Sequence, residues 1–171
     1  MTVATRSDPL LTITQFLLRA AIVLIAFTIA VCAIAAVALA LFPDQELLPK
    51  LSQGGTLWWV LGAVAVSIVM LALYLLFTLN LSRIVATVGT GDPFQPENAD
   101  RLDRMAWLTL AVQGCMIALA PLIAMIARHI DGMRSNFEVS LSGFLLALVL
   151  FILARVFRRG AEMRADLEGT V

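Results

Sequence analysis

Apolar and polar positions divide the chain into four long apolar runs joined by three polar segments. The first run starts at Leu10 and meets a charge only at Arg19. From Ala20 to Phe42, 23 residues carry no charge; as a helix they would rise about 35 Å, enough for the hydrocarbon core of a bilayer. The second run opens on Trp58-Trp59, a pairing suited to the headgroup level. The third covers Leu108–Ala127 and the fourth Val139–Ala154, with Arg155 snorkelling to complete the crossing. Four transmembrane helices are therefore predicted, at about 14–42, 57–83, 105–128 and 139–158, within one membrane domain covering 1–171. Ala38-Leu39-Ala40 resembles a signal-peptidase site, but the first run is much longer than a signal core, so a retained helix is expected.

Small residues recur within the runs. Ala26, Ala30, Ala33, Ala36 and Ala40 form a stripe on the first helix, and Gly114/Ala118 and Gly143/Ala147 form small-xxx-small pairs. In lipid such positions let helix backbones approach closely. Pro121 marks a kink or packing irregularity in the third run.

The one long polar stretch between lipid-like runs is 88–107, VGTGDPFQPENADRLDRMAW. Gly89 and Gly91 end the second helix, and Asp92-Pro93 turns the chain. Pro96 suits the first position of a new helix, where its missing N–H costs nothing, and Glu97 then faces the positive end of the helix dipole. Leu102, Met105, Ala106 and Leu110 fall on one helical face, with Asp100, Arg101 and Arg104 opposite. A short interfacial helix leading into the third span is expected here. A charged tail, 159–171, closes the chain.

Composition agrees with a membrane protein. Apolar residues make up 61% of the chain, against roughly half in soluble domains. Twelve basic and twelve acidic side chains balance, so no concentrated positive face for nucleic acid is expected. The arginines nonetheless set an orientation. With the N-terminus inside, nine arginines (6, 19, 83, 101, 104, 155, 158, 159, 164) share one side, against Lys50, Arg128 and Arg134 on the other. The positive-inside rule then makes both termini and the 88–107 stretch cytoplasmic.

Little in the sequence suggests catalysis. The acids sit in loops or the tail, and the spans lack the buried ionisable groups of proton or ion paths. Cys32 and Cys115 fall inside spans, where they pack as small apolar residues, and His129 stands alone near an outer helix end. Met70, Met116 and Met125 read as gap-filling core. Gly89-x-Gly91 lacks the strand and third glycine of a nucleotide-binding turn. No catalytic, cofactor-binding or metal-binding residue is assigned, and the expectation is a non-enzyme.

Gly91-Asp92-Pro93-Phe94, Pro96-Glu97-Asn98 and Arg101-Leu102 resemble the G-x-P-F-x-x-E-N…R-L signature of a bacterial membrane family catalogued as domain of unknown function 2975. Phe157, Gly160 and the closing Leu167-Glu168-Gly169-Thr170-Val171 are similar to its C-terminal element, with Gly169 in place of the usual leucine. The resemblance implies a four-helix inner-membrane protein without established activity. It also implies a partner, since members are commonly encoded beside a small Cro/C1-type helix-turn-helix regulator. The expected function is therefore a membrane partner that sequesters or modulates such a regulator through the cytoplasmic loop and tail. The residues singled out are Gly91, Pro93, Phe94, Pro96, Glu97, Asn98, Arg101, Leu102 and Arg104. Two of them have rival readings: Phe94 as a plug among the helix ends, and Asn98 as a brace of the loop. Alternative functions are a small transporter or channel subunit, with Ser67, Asn80 and Gln113 as its polar hints, and a structural subunit of a larger assembly. The bilayer is the first partner, and a homo-oligomer stays open.

Overall fold

A computed structural model of the chain describes residues 9–42, 56–89, 94–129 and 141–168. Four helices account for nearly all of them: α1, Pro9–Leu41; α2, Thr56–Gly89; α3, Pro96–His129; and α4, Leu141–Glu168. Each is long and apolar enough to cross a membrane. Both prolines at helix starts, Pro9 and Pro96, occupy the first turn, where their fixed φ is already helical. Pro121 lies inside α3, which continues through it.

The helices form an antiparallel four-helix bundle. A Cβ placed on Gly62 of α2 would meet Leu122 of α3, while Asn98 near the start of α3 reaches Thr87 near the end of α2. On the other side of α3, contacts climb that helix as they descend α4: Asp100 with Arg158, Trp107 with Phe151, Gln113 with Gly143. Packing follows chain order, α1 on α2, α2 on α3 and α3 on α4, and among the described residues no other pair of helices packs along its length.

The seams of α1, α3 and α4 repeat alternately at three and four residues. On α1 the half-buried positions run Leu11, Gln15, Leu18, Ile22, Ile25 and on to Leu39. On α3 the buried or half-buried line is Asn98, Leu102, Met105, Thr109, Val112 and on to Ile126; on α4 it is Gly143, Ala147, Leu150, Ala154 and Phe157. A 3.5-residue period keeps such a seam facing its partner when helices supercoil left-handedly. The alanine stripe expected to pack α1 mostly does not do so within the chain. Ala26, Ala30 and Ala40 are exposed, and only Ala33 and Ala36 are half-buried. The larger side chains of the seam displaced the small ones as the contact surface.

The core lies at one end. Ile84 of α2, Leu102, Met105 and Ala106 of α3, and Leu150 and Ala154 of α4 form one buried cluster, flanked by Phe77, Leu81, Phe151 and Phe157. The segment expected to form a short interfacial helix is the beginning of α3 itself. Its inner face carries some of the most deeply buried side chains in the chain, with Ala99, Leu102, Met105 and Ala106 all under 5% exposed.

Candidate functional site

Above this core, the polar motif is built on hydrogen bonds. Gln95 precedes α3, and its carbonyl accepts the Asn98 N–H at 2.9 Å, closing the first turn behind Pro96. Asn98 is wholly buried. A buried amide is costly unless bonded, and here the bonds run in one direction. Arg101 Nη1 donates to Asn98 Oδ1 at 2.7 Å, Asn98 Nδ2 donates to Thr87 Oγ1 at 2.7 Å, and Thr87 Oγ1 donates to the Ile84 carbonyl at 2.7 Å. Donor-to-acceptor chains of this kind polarise one another and fix geometry. The start of α3 is thereby tied to the last turns of α2.

Phe94, the last described residue of the connecting loop before Gln95, turns toward α4. Its ring centre lies 5.4 Å from that of Phe157, with the rings tilted by 41°. Gly160 leaves the space it fills: a Cβ there would come within 2.8 Å of Phe94 Cδ1. Two residues before Gly160, Arg158 Nη2 donates to Asp100 Oδ1 at 3.2 Å, an exposed pair. The start of α3 is thus fastened to α2 by Asn98, and Phe94 just before it to α4. Beyond Gly160, α4 continues for two further turns to Glu168.

The residues singled out from sequence separate into distinct places. Asn98 and Arg101 belong to the bond chain, Phe94 to the aromatic contact, and Leu102 to the apolar core. Pro96 and Glu97 are exposed in the first turn of α3. Arg104 points elsewhere, lining a cavity between α2 and α3 with Arg83 and Trp107. Gly91 and Pro93 lie outside the described residues, as does the side chain of His129. Phe94 packs on Phe157 beside Gly160 while staying 43% exposed, and Asn98 is bonded to Thr87 and Arg101. Sequence reasoning missed Thr87. Its signal was a hydroxyl residue in the last turn before Gly89, close in sequence to a polar loop that needed an anchor.

The three polar hints for transport do not converge. Ser67 Oγ donates to the Ala63 carbonyl and Asn80 Nδ2 to the Leu76 carbonyl, each on its own helix. Gln113 is buried against Gly143 and lines a separate cavity of about 440 Å³ with Tyr74, Thr109 and Ser142.

Four long apolar helices in an antiparallel bundle define an all-α, multi-pass membrane protein. Residues 44–171 match the family described as Protein of unknown function (DUF2975), and the chain belongs to that family. The resemblance read from the Gly91–Leu102 motif and the tail is borne out. No curated protein and no solved structure matches the chain.

Proposed function

We propose that this chain is a non-enzymatic regulator of the bacterial inner membrane, with its loop end in the cytoplasm, that docks a small soluble helix-turn-helix transcription regulator. The observation that carries this reading is the end of α4. Past the Phe94–Gly160 contact, the helix exposes Met163 (63%) and Leu167 (71%) one turn apart, among Arg159, Glu162 and Arg164. Apolar anchors within a charged rim are the usual anatomy of a protein-docking surface. The Phe94 contact holds that helix at a fixed angle to the rest of the bundle. The nine-to-three arginine bias supports the orientation, and the habit of family members to be encoded beside a Cro/C1-type regulator supports the choice of partner.

The test is fractionation. A regulator encoded beside this chain, co-expressed with it, is expected to sediment with membranes. Met163→Glu with Leu167→Glu is expected to return it to the soluble fraction without lowering the amount of bundle in the membrane. A regulator that stays soluble beside the unaltered chain ends the proposal. Transport through the Gln113 cavity ranks below this reading, and proteoliposome flux lost on Gln113→Leu would raise it.

A further inference from the structure

The open side of the α2–α3 seam is not part of the docking end, and it carries two arginines above an apolar trough. Arg83 of α2 and Arg104 of α3 line one cavity of about 540 Å³, floored by Leu76, Leu108 and Ala111 and edged by the exposed indole of Trp107. Among the described residues neither arginine joins an ion pair. Asn80, on the same wall, donates its amide N–H back to Leu76. The trough continues along the two helices. A second hollow of about 380 Å³ shares Ala111 with the first and runs past Gly114, Cys115 and Ala118, opposite Ala65 and Val69.

Here the small residues of α3 do not serve helix contact. Ala111, Gly114 and Ala118 are exposed, and a Cβ on Gly114 would meet no described atom within 4 Å. From Arg104 to Ala118 the trough spans about 21 Å, more than the roughly 15 Å depth of one leaflet's hydrocarbon.

We infer that this groove is a binding site for an anionic phospholipid. Arg83 and Arg104 hold the phosphate, Trp107 lies at the glycerol level, and one acyl chain lies along Ala111, Gly114 and Ala118. Arginine matches phosphate in charge and in its planar, forked donor geometry. Basic pockets between transmembrane helices at the interface are where anionic headgroups settle. Phosphatidylglycerol lowers the net charge of the arginine pair from two to one, whereas a zwitterionic lipid, with no net charge, leaves it at two. A partner helix in the trough would need an acid at the same level to do what the phosphate does.

Trp107 is a built-in reporter. The chain has three tryptophans, Trp58, Trp59 and Trp107, so a Trp58→Phe/Trp59→Phe protein in nanodiscs fluoresces from this site alone. Phosphatidylglycerol and phosphatidylcholine with brominated acyl chains are compared as quenchers at equal mole fraction. The expected result is a preference for phosphatidylglycerol of about fivefold for each arginine, about 25-fold for the two together. Arg83→Gln with Arg104→Gln should bring the ratio to one. Arg158→Gln, which removes a guanidinium held by Asp100, should leave it unchanged. Gly114→Leu projects into open space and should weaken quenching by filling the trough. A ratio of one in the protein with both arginines overturns the site, as does a preference that survives their replacement. Quenching indifferent to Gly114→Leu also overturns it, since that is the behaviour of a charged surface without a chain-binding groove. So does quenching abolished by dimerisation through this face, which would make a second copy the occupant.

Discussion

Replacing Gly160 with alanine tests the contact that fixes the loop to α4, because two opposing effects act at one atom. A new Cβ would lie 2.8 Å from Phe94 Cδ1 and 3.1 Å from Cε1, closer than such atoms pack. Either the ring moves off Phe157 or α4 shifts, and crowding of this sort costs about 1–3 kcal/mol. Alanine also favours the helix by about 1 kcal/mol over glycine. The net effect is between neutral and about 2 kcal/mol destabilising. Phe94→Ala alone removes a ring that is 43% exposed. Its buried share amounts to about 1 kcal/mol, and loss of the ring pair adds about 0.5–1.5. In the doubly substituted protein the obstacle is gone and only the helix-propensity gain remains. Gly160→Ala should therefore stabilise the Phe94→Ala protein by about 1 kcal/mol. The assay is reversible unfolding of the four proteins in mixed micelles, read by far-ultraviolet circular dichroism. Additivity within about 0.5 kcal/mol, as for sites that do not touch, would refute the contact.

Other substitutions probe the remaining joints. Asn98→Ala removes at least one neutral and one charge-assisted bond and should cost about 2–4 kcal/mol; with Thr87→Ala in a double-mutant cycle, a coupling below 0.5 kcal/mol in the same unfolding assay rules out the link between α2 and α3. Gly143→Ala drives a methyl into the buried Gln113 amide and should cost about 1–3 kcal/mol, with Gln113→Ala relieving most of it in the same titration. Asp100→Asn breaks an ion pair whose side chains are 50% and 62% exposed, so stability should change by less than about 1 kcal/mol, and less still in high salt. In a background lacking Cys32 and Cys115, cysteines placed at Gln95 and Met163 should react with an impermeant maleimide from one and the same side of sealed vesicles; labelling from opposite sides contradicts the antiparallel bundle.

The number of helices was legible because lipid demands it: charge-free runs of this length have no other stable use. Which faces meet was not legible. A helix that touches lipid on one side and protein on the other is apolar all round, so the period that marks a soluble helix is erased. The small-residue pairs show this most clearly. Gly143/Ala147 is packed, with Ala147 buried and Gly143 under Gln113, whereas Gly114/Ala118 with the same spacing faces open space. The spacing says that a backbone can approach; only the neighbouring helix decides whether one does. Within the loop, Pro96 as a helix start followed from its chemistry. Asn98 as a fully buried residue did not, because Glu97, Asp100 and Arg101 around it suggest a wet surface. The clue was its place four residues before Leu102, on the line that continues through Met105.

Those joints also explain why the bundle is organised around α3. Apolar side chains leaving lipid for a helix seam gain little from the hydrophobic effect, since both surroundings are hydrocarbon. Position must then come from close packing and from polar groups that have one good partner. α3 holds most of these: Asn98 to Thr87, Gln113 against Gly143, Asp100 to Arg158. α1 lies at the edge of the array, against α2, and none of its described residues is fully buried. The family match starts at residue 44, just past that helix, and takes in α2, α3 and α4, the three that build the core. The matched part is therefore the one whose register is set by the directional contacts among the described residues.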